Sequence, residues 1–554
     1  MTCDSAYLYP DQRFEAFGRV KINKDSTTIL GQYMEYDSKT DAGRITGRIV
    51  RMIDGKTTLR TPVVEFNTAN NNASFHQGAT VSNDDLTLES ERGYYNSESK
   101  VFVFFSKVQL KNKEYTVLSD SMHYDNSHQI SFFFKPTKIW HKDGFLSCNY
   151  GKMNTKSDDF YFSDKAYILT KDQEIWSDEA QYNRKKSEGE FKGNIQMLDT
   201  TRGMYVFGNY AYFDQAAKKG LVTKHPVVGY YSDNPKEDTL FMTADTLRIL
   251  ELKNPEYTKA LSEQYRWDSL NNKIAHTDSK LSKTKAEKSS KGNKLTKWLF
   301  SKKENETGSS KSAQNSEQRK QDSLFKAGPR PTLPDSSYTY AKAYHKVRAF
   351  RKDLQWVCDS LNYTSKDSLA ELFYDPVIWS EANQIVSKKV ELYVKHKQVE
   401  RMEFTEDVMI SSVDDSIKKL YNQVKGKSAT GWFKNNELYR YDIFGNSQSI
   451  YFMREKNKLS GVNISESTDM KIYVKNRAIQ RINYLTKPES RMVPQKMMAD
   501  EELELKGFVW KADVRPKSKT EICPYVKRKS ERKKVSTYVK PTFPITERIQ
   551  RLSR

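Results

Sequence analysis

Cysteine is scarce: the 554 residues hold four, Cys3, Cys148, Cys358 and Cys523, far apart and without a Cys-x-x-Cys spacing. That excludes a disulfide framework and leaves a thiolate metal site without ligands. Glycine (23) and proline (16) are too few for a collagen-like or wholly disordered chain. No apolar run approaches the roughly 20 residues of a membrane helix. No signal peptide is present either. The chain opens at Met1-Thr-Cys-Asp-Ser5, already inside a repeat, so a truncated N-terminus is the expected reason. The eight histidines (His76, His123, His128, His141, His225, His276, His345, His396) are scattered. His123 and His128 lack metal-ligand company and read as a strand or turn pair. There is no Gly-rich phosphate loop and no nucleophile elbow. No metal, no cofactor and no catalytic residue is therefore expected.

Acidic charge is also short, and where it is short matters. The net charge of +21 looks like a nucleic-acid signal until it is located. Residues 271–330 carry 15 Lys/Arg against 6 Asp/Glu, and residues 511–554 carry 14 against 4, so two segments hold nearly all the excess. Such segments can meet phosphate on nucleic acid, lipid or membrane, or can simply be solvated. The patterned remainder is almost neutral, which argues against nucleic acid as the partner of the folded part. Hydrophobic content of 37% is low for a compact enzyme and suits thin stacked layers with one wet face.

What the chain has in quantity is aromatics, 33 Tyr and 27 Phe, and they are phased. Tyr36, Phe66, Tyr95, Tyr124, Met153, Tyr182 and Phe213 follow one another at 30, 29, 29, 29, 29 and 31 residues. Four residues before the recurring position stands a short polar residue: Asp120, Asn149, Asp178, Asn209. The pattern returns as Asp359-Ser-Leu-Asn-Tyr363. About eleven residues after the aromatic comes a turn signal: Gly47, Gly78 or Gly193, or Pro136, Pro226 and Pro376. The repeated Asp/Asn is expected to close turns through side-chain to backbone hydrogen bonds. Cys3 and Cys358, each before Asp-Ser, occupy equivalent positions and should pack as small apolar residues. Periods of 20 to 50 residues mean stacked repeats, each too small to bury a core alone.

Alternation in Phe14–Ile22, Lys100–Phe105 and Gly189–Met197 predicts half-buried strands, and helical periodicity is weak throughout. The expected organisation is β repeats over 1–250, a basic low-complexity insertion over 252–336, further β repeats over 337–510 and a disordered basic tail over 511–554. A short helix is expected over Pro255–Asp268, disorder over 271–330, and the insertion should interrupt a repeat without separating unrelated domains.

Cys3-Asp-Ser-Ala-Tyr7 with Phe14-Glu-Ala-Phe-Gly-Arg-Val20, and Asp375-Pro-Val-Ile-Trp379 with Asn422-Gln-Val-Lys-Gly-Lys427 and Gly445-Asn446, resemble the OstA-like (organic solvent tolerance) proteins. Those are related to periplasmic LptA and the N-terminal domain of LptD. The resemblance covers 1–250 and 340–515. It implies an all-β fold, a stacked antiparallel β-jellyroll, with a hydrophobic groove. It implies lipopolysaccharide transport in the periplasm toward the outer membrane. The implied partners are lipopolysaccharide (lipid A), other jellyroll transport proteins joined by edge-strand pairing, and the outer-membrane translocon. Only 44 residues follow position 510, too few for a membrane barrel, so a bridge or accessory component is expected.

The groove candidates are Tyr36, Phe66, Tyr95, Tyr124, Tyr182, Phe213 and Tyr363, with neighbours such as Glu35, His123 and Gln181 facing outward. The same aromatics could instead fill a closed core. Two rival functions stand beside transport: a structural surface protein built of the same rungs, and a polysaccharide-active β-helix enzyme. For the enzyme, Asp158-Asp159 is the tempting carboxylate pair, but adjacent strand residues face opposite ways.

Overall fold

The computed structural model describes residues 1–554 apart from 85, 143, 155, 232–237, 279–329, 331, 396–397, 416–418, 457, 476–477, 501 and 554. Among the described residues, 33 strands from Ser5–Leu8 to Glu489–Pro494 join into one sheet of antiparallel pairs. The all-β expectation holds.

Chain reversal follows directly from the repeat. Each phased residue is followed by a side chain that caps a turn: Tyr36-Asp37, Phe66-Asn67, Tyr95-Asn96, Tyr124-Asp125, Met153-Asn154, Tyr182-Asn183, Phe213-Asp214. The Asp or Asn oxygen accepts from a backbone N–H two or three residues on, as Asn67 does from Ala69 and Asp214 from Ala217. The fifth residue after the aromatic then takes positive φ: Asp41, Asn71, Lys100, Gln129, Asp158, Ser187, Lys218.

The Gly and Pro signals do something else: they bend strands. Gly193 and Asn194 have φ of 69° and 44°, and the ladder slips between Lys192 and Ile195. Gly78, Pro226 and Pro376 sit where a strand divides in two, as in Lys219–Thr223 and Val227–Tyr230. The polar residue four before the aromatic ties neighbouring strands together at this bend. Asn194 Nδ2 donates to Asp178 Oδ2 (2.7 Å), Asn149 Nδ2 to Asp164 Oδ2 (2.9 Å), and Asp359 Oδ1 meets His345 Nδ1 (3.2 Å). Most of these contacts run between side chains; the expected backbone bond appears where Asn194 N–H donates to Asn209 Oδ1 (3.3 Å).

Every rung therefore has two arms, and their inner faces pack on each other. One cluster of buried side chains runs from Ala16 to Ile195 and a second from Ala244 to Ile472. Cys148 and Cys358 lie in them, their thiols pushed up to about 12 by burial, and Cys3 packs against the first. Strands Thr246–Lys253 and Ser337–Arg351 pair with each other, so the sheet continues across the insertion. The helix there runs Pro255–Asp278, ten residues beyond the expected end. Of the segment expected to be disordered, 271–278 complete this helix and 279–329 lie outside the described residues.

The tail corrects an expectation. Residues 511–553 are ordered, with short helices at Lys519–Ile522, Arg532–Ser536 and Pro544–Ser553. They run back along the outer face of one arm. Buried polar side chains of the sheet hold this strap: Gln384 accepts from Lys511 N–H (2.7 Å), Gln196 from Arg528 N–H (2.8 Å) and Glu89 from Thr546 N–H (2.8 Å). Ile522 and Cys523 pack with Tyr205, Phe207 and Phe241; Tyr538 packs on Phe145. Net charge alone is a poor guide here because a few apolar residues, spaced to reach the sheet, decide docking.

Candidate interior groove

Cross-strand partners can be followed without a break from one end of the sheet to the other. Leu8 faces Phe14, Phe14 faces Tyr36, and the line passes through Phe66, Tyr95, Tyr124, Met153, Tyr182 and Phe213. It continues through Gly220, Ile249 and Ala341 to Tyr363, then through Leu392, Met402, Tyr441 and Ile472 to Ile482. Large and small residues alternate along much of it, so rings lie over glycines: Phe66 over Gly43, Phe213 over Gly189.

All seven candidate residues thus occupy one line. Tyr36, Phe66, Tyr95, Tyr124, Tyr182 and Phe213 pack in or on the first cluster, and Tyr363 on the second. Tyr95, Tyr124 and Tyr182 are buried, while Tyr36, Phe66, Phe213 and Tyr363 are half-buried. Glu35 and Gln181 are exposed; His123 is half-buried and stacks at 4.7 Å on Phe134. The line is buried from Ala73 to Gly189 and more open at either side, with Leu8 77% and Ile249 39% exposed.

A second line, which the sequence reading missed, faces the first from the other arm. Ile29, Leu59, Leu88, Val117, Leu146, Ile175 and Val206 recur at 30, 29, 29, 29, 29 and 31 residues, each seven before a phased residue. It runs on through Trp356, Ile385 and Ile410 to Val424, and then turns polar at Ser449, Ser465 and Ser490. Tyr484 reaches across from the aromatic arm to Ser449 Oγ (3.2 Å) and Asn463 Oδ1 (3.2 Å). Just inside this polar end is a cavity of about 50 Å³ lined by Val424, Tyr441, Ser449, Ile472 and Ile482 among others.

Opposite the bend, the arm tips are tied together over the first cluster. Asp54, 5% exposed, accepts from Ser26 Oγ (2.6 Å), Tyr95 OH (2.6 Å) and Asn126 Nδ2 (3.2 Å), with Lys100 Nζ at 3.8 Å. Thr57 donates to Asn126 Oδ1 (2.7 Å), and Arg184 pairs with Glu114 (2.9 Å). Burial alone would raise the Asp54 carboxyl, but these hydrogen bonds and the Lys100 charge outweigh it and hold it below the usual range. Burial, then the Asp54 contact, hold the Tyr95 phenol well above its usual value.

Asp158 and Asp159 do not form a carboxylate pair. Asp158 is a turn residue at φ 59° beside Arg184 (3.8 Å), and Asp159 accepts from Asn183 Nδ2 (2.5 Å). His128 sits in its turn against Asp125 (2.8 Å). The arrangement offers two facing apolar lines with polar ties, suited to enclosing chains without functional groups.

Residues 1–120 and 106–178 each match the family described as OstA-like protein. Among solved structures, this chain is similar to LptH, the LptA homologous periplasmic component of the conserved lipopolysaccharide transport device from Pseudomonas aeruginosa. The identity is 16%, with 19% of this chain and 79% of that chain covered and a TM-score of 0.18. A TcdB2-TccC3 structure aligns over 86% of this chain and 30% of its own at 8% identity, with a TM-score of 0.08. No curated protein matches.

Proposed function

We propose that this chain, OstA-like over its first 178 residues, is a non-enzymatic lipopolysaccharide carrier of the periplasm, a bridge or accessory component that shields acyl chains on the way to the outer membrane. The observation that carries the reading is the unbroken pair of apolar lines through both clusters. Each exposed CH₂ costs about 0.8 kcal/mol, so a fourteen-carbon chain costs roughly 11 kcal/mol in water and needs a continuous apolar track. The track is filled by side chains between Ala73 and Gly189, so a guest requires the arms to part, and the Asp54 ties are what must yield.

Chains enter where the aromatic line is open to solvent, as at Leu8 (77% exposed) and Ile249 (39%). An edge strand of such a stack accepts a strand from another jellyroll transport protein, one arm of a chain of carriers leading to the outer-membrane translocon. The polar end at Ser449, Ser465 and Tyr484 is where the track stops.

The test is a photo-crosslinking amino acid placed in cells at Phe66 or Tyr182, and in parallel at their outward neighbours Glu65 and Gln181. Lipopolysaccharide captured at the first pair and not the second is the expected result. Equal capture at all four would mean surface adhesion, and none at any would mean a closed core.

A further inference from the structure

The strap presents a surface that the lipid reading does not use. Its inward contacts are made by backbone, by apolar side chains and by a set of polar ones, among them Arg515 on Gln355 (2.6 Å), Lys527 over the Tyr205 ring (4.0 Å), Ser530 on Glu174 and Arg532 on the Thr170 carbonyl (2.9 Å). That leaves Arg528, Lys529, Lys533 and Lys540 exposed. The acidic residues of this stretch do not offset them: Glu531 is shared between Lys534 (3.4 Å) and the Trp176 indole (3.5 Å). Glu521, nearby, pairs with Arg348.

Two valines stand out on the same surface. Val526 is 89% exposed and leads directly into Lys527-Arg528-Lys529; Val539 is 83% exposed and precedes Lys540. A segment that packs Ile522, Cys523 and Tyr538 against the sheet leaves these two pointing away from it, each among cations. Apolar side chains that protrude between lysines and arginines match the boundary between anionic headgroups and acyl chains, the apolar group entering and the cations meeting phosphate. Nucleic acid would use the cations and leave the valines without a role.

We propose that the outward face of the strap from Val526 to Lys540 docks on a membrane leaflet rich in anionic phospholipid. This stands apart from the groove, since it concerns the opposite side of the aliphatic arm. The affinity is electrostatic with an apolar component, each cation contributing about fivefold to partitioning at low salt.

Full-length protein is sedimented with vesicles of phosphatidylcholine alone and with vesicles in which about 30% is phosphatidylglycerol, near the anionic content that produces a strong surface potential. Binding is expected to the anionic vesicles only and to weaken as salt rises. The triple variant Arg528→Glu, Lys529→Glu, Lys533→Glu should lose at least about a hundredfold in partitioning. Val526→Ser with Val539→Ser, which leaves the net charge unchanged, should lose several-fold. All five positions are exposed, so the far-UV strand spectrum should not change. Equal binding to neutral vesicles, or full binding by the triple variant, would overturn the proposal. Tight single-stranded DNA binding unaffected by the valine changes, with no vesicle binding, would assign the face to nucleic acid instead.

Discussion

A Cβ added to Gly189 would lie 2.3 Å from Cζ of Phe213, and one added to Gly43 2.4 Å from Cζ of Phe66, both far inside van der Waals contact. At these places the aromatic repeat depends on the residue across from it as much as on itself. Gly189→Ala should cost about 1–3 kcal/mol in urea unfolding, because the ring must leave its rotamer or the strands must part. Gly189→Ala combined with Phe213→Leu should recover part of that loss. If the single change costs nothing, the ring is not held where it lies. The aromatic phase was legible because one residue type recurs at nearly constant spacing. The facing aliphatic line has the same spacing but was not seen, for a geometric reason. Val117 and Tyr124 are seven apart, an odd number that places them on opposite faces of a regular strand. The slip between Leu118 and Ser121 changes the parity, so both point inward. The Asp or Asn after each aromatic is equally regular, but sequence alone does not separate a residue that caps a turn from one that ties strands at a bend.

At the scale of elements, the bend and the tip ties decide how far the arms can separate. Asp54→Ala removes the acceptor shared by Ser26, Tyr95 and Asn126 and should cost about 2–3 kcal/mol, as for a buried hydrogen-bonded charge. Because the folded carboxyl lies below its usual value, its contribution is complete above about pH 4 and is lost as pH falls through the folded value. Glu89 has the opposite sign. Burial, only partly countered by hydrogen bonds from Thr546, raises its carboxyl. Its effect therefore favours the fold most below the usual carboxylate range, and stability declines as pH rises through the folded value. Glu89→Gln keeps an acceptor for Thr546 and should raise the melting temperature at pH 7, with the gain vanishing near pH 4. A gain that persists in acid would mean that packing, not charge, is responsible. The bends were legible as Gly and Pro but read as reversals. Only pairing partners distinguish a kink from a hairpin.

Across the whole molecule, the strap covers apolar surface on the outside of a sheet whose inside is already packed. Ile522, Cys523 and Ile549 are buried in it, and Tyr525 and Tyr538 are half-buried. Each large apolar side chain buried contributes about 1.5–3 kcal/mol, which is substantial beside total stabilities of about 5–15 kcal/mol. Deleting residues 511–554 should leave a strand-type far-UV spectrum, lower the melting temperature and increase binding of an apolar dye. No increase in dye binding would show that the outer face needs no cover. The strap also sets an order of events. Arg548 donates to the Gln77 carbonyl, a contact spanning 471 residues, whereas rungs form between neighbours in the chain. As the polypeptide emerges, hairpins can add to the stack one after another, each on the last. The strap can dock only once its own C-terminal residues are free, and it then lays itself down from the newest rungs back to the oldest. Until that moment Phe145, Tyr167, Trp176 and Tyr205 face solvent on rungs that are otherwise finished. The interval between the first hairpin and the last residue is thus a window of stickiness, and its length scales with the time taken to produce everything in between.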